Sequence, residues 1–223
     1  MKFIVDDKSP AKDNNFWKVT QDEISVCLKY DEKRTTFVDI GSNEGIWSLF
    51  LNGLYEEIHA FEPIKKNYNH LKHNLSDFKN IISYNNAISD KKENFTMVND
   101  CKMVDFNQGM TARKQNFVNA VKEFTKLTKS EALKQVNSTC FFERVSSNTL
   151  DSYSFSPSLI KIDVENDEIR VLTGAKNTIK KYSPVLFIEN NFEPLSNELN
   201  NLIRDYDYVS VSEHPWIHIK NKE

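Results

Sequence analysis

Two glycines four residues apart carry the first chemical signal. Phe37-Val38-Asp39-Ile40-Gly41-Ser42-Asn43-Glu44-Gly45 is an apolar run that ends in a glycine turn. Asp39 sits two residues before Gly41, and Glu44 lies inside the turn. Glycine permits backbone angles and a close ligand approach that a Cβ blocks. The spacing is not the G-x-G-x-x-G of dinucleotide sites, and carboxylates here would repel a pyrophosphate. They would favour a ligand carrying an ammonium or a sulfonium. Seventeen residues after Gly45, the second apolar run, Ile58-His59-Ala60-Phe61, ends in Glu62. A carboxylate at the end of a second strand suits a bidentate hydrogen bond to two ribose hydroxyls. Together these features describe a cationic nucleoside ligand, and S-adenosylmethionine fits that description. The plainer alternative is a turn glycine followed by a helix-capping acid.

The elements that must hold these residues alternate in period. After the first apolar run, Ile46, Trp47, Phe50 and Leu54 recur at helical spacing. After the second, Pro63 stands where a helix begins, and Ile64, Tyr68, Leu71 and Leu75 mark one face. Ile81–Tyr84, Leu159–Ile162 and Val185–Ile188 read as further strands. Helical faces follow the last two, at Ile169, Leu172 and Ile179 and at Leu195, Leu199 and Leu202. Near-continuous apolar strands alternating with helices predict an α/β fold with a parallel sheet covered on both faces. Tyr208–Val211 and Trp216–Ile219, around a turn with Pro215, predict a closing antiparallel hairpin. Residues 1–35 form a polar extension with a helix around Asp22–Tyr30, leaving 36–223 as the main domain. An insertion at about 98–147 interrupts that domain. Its Phe117, Val121, Phe124 and Leu127 stripe is a helix on the core or an active-site lid. Gly109 with Met110 forms a turn there or lines a substrate entrance.

Composition removes several classes. The formal charge of −3 shows no basic excess of the kind that grips nucleic acid. No apolar window is long enough to span a bilayer, and the opening MKFIVDDKSP is too charged for a signal sequence. Cys27, Cys101 and Cys140 are odd in number and irregularly spaced. They read as neither a disulfide framework nor a metal knuckle, which favours a reducing compartment and a cytoplasmic location. His59, His70, His73 and His214 show no convergent metal-ligand spacing, so no metal site is expected; a magnesium role for Asp163 would need further acids nearby.

FVDIGSNEGIWSLF, IHAFEPIKKNYNHLKHNL, NIISYNNAISD, SNTLDSY and SLIKIDVENDEIRVLTGAKNTIKKYSPVLFIEN resemble successive blocks of the FkbM family of S-adenosylmethionine-dependent methyltransferases. The resemblance implies a Rossmann-like class I fold: a seven-stranded, mostly parallel sheet with helices on both faces and a C-terminal antiparallel hairpin. It implies that Asp39, Gly41, Asn43 and Gly45 surround the methionine end of the cofactor. Glu62, flanked by Phe61 and Pro63, would hold the ribose, and Asn86 and Ala87 would meet the adenine. Asp163 and Glu165 would face the reacting methyl group, either as general base or as support for the sulfonium. Glu189 and Asn190, ending the next strand, are candidates for substrate hydrogen bonds. The family usually reads KIDVEG, and this chain has Asn166, which tolerates left-handed angles better than most residues.

The expected activity is O-methylation of a hydroxyl on a sugar, glycan or small metabolite, with no nucleic-acid or membrane partner. The oligomeric state has no signature. A nucleic-acid methyltransferase is disfavoured because IDVEN replaces the D/N-P-P-Y type of motif. A catalytically degenerate S-adenosylmethionine-binding scaffold is the remaining alternative.

Overall fold

The computed structural model describes residues 3–5, 9–101, 112–189 and 196–221. Gly109, Met110, Asn190 and Leu195 therefore lie outside the described residues. In chain order the elements are α1 (Asn14–Tyr30), β1 (Thr36–Ile40), α2 (Ile46–Leu51), β2 (Glu57–Phe61), α3 (Lys65–Asn74) and β3 (Ile81–Tyr84). A second group follows: β4 (Ala87–Ile88), β5 (Glu93–Cys101), β6 (Ala112–Arg113), α4 (Lys114–Thr125), α5 (Lys129–Thr139) and β7 (Cys140–Asn148). The chain then returns with β8 (Pro157–Ile162), α6 (Glu168–Gly174), α7 (Lys176–Tyr182), β9 (Val185–Ile188), α8 (Asn197–Asp205), β10 (Tyr208–Val211) and β11 (His214–Lys220).

The principal sheet has seven strands in the order β10-β11-β9-β8-β1-β2-β3. The five from β9 to β3 are parallel, and β11 joins β9 and β10 antiparallel. This is the class I methyltransferase arrangement that the sequence resemblance implies. Every residue of β1, β8 and β9 is buried, as central strands covered on both faces require. One core face joins Val38, Ile40, Ile160, Ile162 and Leu186 to α6, α7 and α8. The opposite face packs Phe37, Leu159 and Phe187 against Trp47 and against Ile24 and Cys27 of α1.

Local sequence explains several boundaries. Asp13 caps α1, its side chain accepting from the Asn15 N–H, so the helix starts well before Asp22. Thr128 and Glu131 form a reciprocal capping box that starts α5. Helix α2 stops at Leu51, leaving Leu54 outside it and 42% exposed. Pro215 falls inside β11 rather than in the turn, just past a register shift between Ser210 and Val211. There its missing N–H does not break a regular ladder.

A separate four-stranded sheet, β4-β7-β5-β6, draws its strands from between Ala87 and Asn148. Helices α4 and α5 cover it through their own small core of Val98, Phe117, Val121, Ala132 and Val136. Phe117 and Val121 of the stripe are buried there, but Phe124 is 66% exposed. The reading of the cysteines also needs correction. Strands β5 and β7 run antiparallel with Cys101 opposite Cys140, and the two are joined as a disulfide, leaving Cys27 free and buried. Strand register pairs residues that lie 39 apart in the chain, which linear spacing does not show. A disulfide in turn weighs against using these cysteines as a mark of a reducing compartment. No helix among the described residues is long and apolar enough to cross a membrane.

Candidate functional site

Parallel register assembles the site. Ile40 pairs with Phe61 on one side and Ile162 on the other, and Ile162 pairs with Ile188. The next residue of each strand therefore leaves the sheet at the same level: Gly41, Glu62, Asp163 and Glu189. The site lies at the carboxyl ends of the strands, where open α/β sheets bind ligands.

A cleft opens there. Gly41, Asn43, Phe61, Glu62 and Pro63 form one wall, and Asp163, Val164, Glu165 and Asp167 face them. Asn86, Ala87 and Ile88, with Phe95, Met97 and Arg113 of the second sheet, close the third side. Nine of the sequence-predicted residues thus line one space. Asp39 lies beneath it, Gly45 behind it and Glu189 beside Asp163, while Asn190 is outside the described residues.

The glycines act by exclusion. Gly41 has φ +79°, and a Cβ there would overlap the carbonyl oxygen of Asp163. The glycine turn and the β8 loop can meet only because that atom is missing. Gly45, at φ +89°, faces Leu71 of α3 and Leu75 at that helix's C-cap, whose side chains come within 2.7 Å and 2.9 Å of its ideal Cβ. It packs a helix rather than touching the cleft.

Glu62 is 3% exposed. Its Oε2 accepts the Asn43 N–H at 3.0 Å and its Oε1 accepts the Ile64 N–H at 2.8 Å. Burial nevertheless pushes its pKa up to about 7. Each carboxylate oxygen keeps a further acceptor position for a ligand hydroxyl. Asp39 is fully buried, and burial raises its pKa. Its Oδ2 accepts from Ser48 Oγ at 2.7 Å, while Oδ1 has no hydrogen bond.

Three contributors escape the sequence reading. Lys161, inside β8, donates to the Gly41 carbonyl and to Asp163 Oδ2, each at 3.0 Å. Burial opposes its charge, but Asp163 and Asp39 outweigh burial and hold its pKa above the ordinary lysine value. Its signal was present, since residues two apart on a strand share a face. Glu23 of α1 is buried and pushed up to about 7 by that burial, with Lys161 and Asp163 among the charges it senses. Arg113 of β6 packs 3.6 Å over the Phe95 ring and bonds Glu93 and Asp167, each at 3.0 Å. Nothing in the local sequence around Arg113 points to this cleft.

The β8 loop is tied down from the second sheet's side. Glu165 and Asn166 take φ of 51° and 72°, so Asn166 does adopt the left-handed angle. Its N–H donates to Glu168 Oε1 at 3.1 Å, and its carbonyl accepts from Asn116 Nδ2 of α4 at 2.9 Å. Beside it, burial and then the neighbouring Asp163 raise the pKa of Glu189. Among the described residues, no group of three or more His, Cys, Asp or Glu side chains is placed to hold a metal ion.

The Methyltransferase FkbM domain matches residues 39–210. Among solved structures, the chain is similar to the methyltransferase FkbM from Methylobacillus flagellatus KT, with a TM-score of 0.50 and 17% identity. That match covers 82% of this chain and 43% of the other, so the chain spans less than half of that protein's length. An rRNA methylase from Streptococcus thermophilus matches at TM-score 0.45 and 11% identity, over 88% of this chain and 91% of its own. An O-methyltransferase from Bacillus cereus in complex with SAH matches at 0.39 and 10%, over 99% and 84%. No curated protein matches the sequence.

Proposed function

The chain belongs to the FkbM methyltransferase family, and from that premise we propose that it transfers a methyl group from S-adenosylmethionine to a hydroxyl oxygen of a sugar, glycan or other small metabolite. The observation that carries the cofactor reading is Glu62. It is a buried carboxylate on the cleft wall, and two backbone N–H groups fix its orientation. Such a group suits a vicinal diol. The acidic surroundings at Asp39, Asp163 and Glu165 suit a cation at the other end of the cleft.

When bound, S-adenosylmethionine supplies a methyl group activated on a sulfonium. The chain's own residues bind and orient. Glu62 grips the ribose, Phe61 and Pro63 flank it, and Asn86 and Ala87 meet the adenine beside Phe95 and Met97. The turn at Gly41 and Asn43, stiffened from below by Asp39, borders the methionine end. Asp163 or Glu165 removes the acceptor's hydroxyl proton, a service worth roughly 10²–10⁴-fold when the base reaches that atom. Alignment of acceptor and donor contributes several kcal/mol more. Glu189 and Asn190 offer hydrogen bonds to the acceptor.

Thermal unfolding with saturating S-adenosylhomocysteine, beside NAD as control, tests this. Ligand at 100 times its dissociation constant adds about 2.7 kcal/mol, which raises the midpoint of a domain this size by roughly 5–10 °C. The shift should occur with the homocysteine nucleoside alone and vanish in Glu62→Ala. No shift at millimolar ligand overturns the cofactor reading. A positive result opens a screen of hydroxyl acceptors, in which a product methylated at carbon or nitrogen would correct the O-methylation assignment.

A further inference from the structure

The β8 loop stands in a conformation that its own sequence does not favour. Glu165 and Asn166 are neighbours, and both take left-handed angles, with φ of 51° and 72°. Neither is a glycine, so both positions carry backbone strain. Such strain persists only where the surroundings hold it, and it gathers at binding sites. Glu165 lines the cleft, and so does Asp163 two residues earlier.

Restraint reaches this loop from the second sheet and converges on Asp167, which is 9% exposed. Arg113 of β6 donates to Asp167 Oδ2 twice, from Nε at 3.1 Å and from Nη2 at 3.0 Å. Asn116 of α4 donates from Nδ2 to the Asn166 carbonyl at 2.9 Å and to Asp167 Oδ1 at 3.2 Å. Four hydrogen bonds thus cross from β6 and α4 to two adjacent loop residues. The guanidinium is braced in turn. Its Nη1 donates to Glu93 Oε1 at 3.0 Å, its Nη2 to Ser89 Oγ at 3.2 Å, and it sits 3.6 Å over the Phe95 ring. Arg170 Nε also approaches Asp167 Oδ1, at 3.5 Å, but it belongs to α6 and moves with the loop.

We propose that Arg113 is a positioning residue for the β8 loop: through Asp167 it holds Glu165 and Asn166 in their left-handed conformation, so the second sheet sets the cleft wall that carries Asp163 and Glu165. The strain lies in one unit of the chain and its restraint in another, which has a small core of its own. The inference goes beyond the cofactor reading and rests on it only for the binding arm of the test.

Hydrogen exchange of the full chain without ligand is the first arm. The Asn166 N–H donates to Glu168, and those of Arg170 and Val171 donate to the Asp167 carbonyl. In Arg113→Met these three amides should exchange about tenfold faster, while those of β5 and β7 stay within about threefold of wild type. Unchanged loop exchange, or an equal rise in β5 and β7, overturns the proposal. Affinity for S-adenosylhomocysteine, by calorimetric titration, is the second arm. A relaxed loop lowers the fraction of chains ready to bind, so Arg113→Met should weaken affinity by about tenfold. Glycine takes left-handed angles freely, so adding Asn166→Gly should recover at least about threefold of that loss, while Asn166→Gly alone changes affinity by less than about threefold. No recovery would mean that Arg113 acts by touching the ligand or by supporting its own sheet, and overturns the proposal. Should Arg113→Met fail to fold, Asn116→Ala, at a residue outside the cleft lining, must shift exchange and affinity the same way by about threefold, and no shift overturns the proposal. A wild-type chain that binds no S-adenosylhomocysteine overturns the cofactor reading, and exchange alone then decides the role of Arg113.

Discussion

Gly41→Ala and Gly53→Ala form a matched pair that separates backbone strain from steric exclusion. Both glycines hold positive φ, +79° and +78°. An alanine at Gly53 meets nothing within 4 Å, so its penalty is the left-handed backbone alone, about 1 kcal/mol. At Gly41 the same methyl group would overlap the Asp163 carbonyl oxygen and stand 2.9 Å from its carbon. The β8 loop would have to retreat by more than an ångström. That movement strips the Asp163 N–H bond to Ile40 and the Lys161 bond to Gly41. Overpacking of about 1–3 kcal/mol and roughly 1 kcal/mol per lost hydrogen bond bring the total to about 4 kcal/mol. Differential scanning calorimetry should place Gly53→Ala about 2–4 °C below wild type and Gly41→Ala about 8–16 °C below it. Homocysteine nucleoside binding should survive the first change and fail in the second. If the two variants melt within 2 °C of each other, the close approach of turn and loop is not what Gly41 provides.

Three further outcomes follow from buried chemistry. Glu23 and Glu62 are both raised from 4.5 to about 7, so the unfolded chain releases their protons before the folded one does. Their contribution to stability is greatest below about pH 4.5, declines as pH rises to about 7 and then levels off; Glu23→Gln should flatten the fall in melting temperature across that window, and an unchanged slope would count against the assignment. The Cys101–Cys140 bond closes a loop with a separation of 39 residues, worth about 4 kcal/mol of unfolded-state entropy. Reduction, or Cys101→Ser with Cys140→Ser, should lower the melting temperature of the inserted sheet by roughly 8–15 °C, and equal melting would refute a formed bond. Tyr55 donates to Asp31 Oδ2 at 2.6 Å, so Tyr55→Phe should destabilise the chain by about 1–3 kcal/mol in urea titration, whereas a loss below about 0.5 kcal/mol would show that Ser158 suffices for Asp31 Oδ2.

The principal sheet was legible because its strands are short, apolar and punctuated. Phe37–Ile40, Leu159–Ile162 and Val185–Ile188 have no polar face to disguise them apart from Asp39 and Lys161. Those two exceptions are the chemistry. Asp39 announced itself by its place before Gly41; Lys161 shares a face with Asp163 two residues on, but its contacts with Gly41 and Asp39 come from another strand, which local pattern does not show. The second sheet was hidden for a different reason. Glu93–Cys101 and Cys140–Asn148 are only partly buried and rich in polar residues, so neither apolar run nor clean alternation marks them. Their long antiparallel pairing is also what joins Cys101 to Cys140. Arg113 and Glu23 reach the site through tertiary packing of β6 and α1, which no local pattern encodes.

The seat of α1 has a consequence for the making of the protein. Its inward residues Ile24 and Cys27 share one cluster with Phe187 of β9, Val211 of β10 and Ile217 of β11, and Tyr30 donates to Glu213 at the hairpin turn. This helix is translated well before much of the surface that receives it. Some 180 residues separate the two, roughly 10–40 s of synthesis. Through that interval the helix carries an uncovered apolar stripe, open to chaperones and to other nascent chains. A message truncated before the hairpin would release a chain whose first helix has lost much of its landing surface. The hairpin strands thus cover the helix's apolar face as well as forming the edge of a sheet.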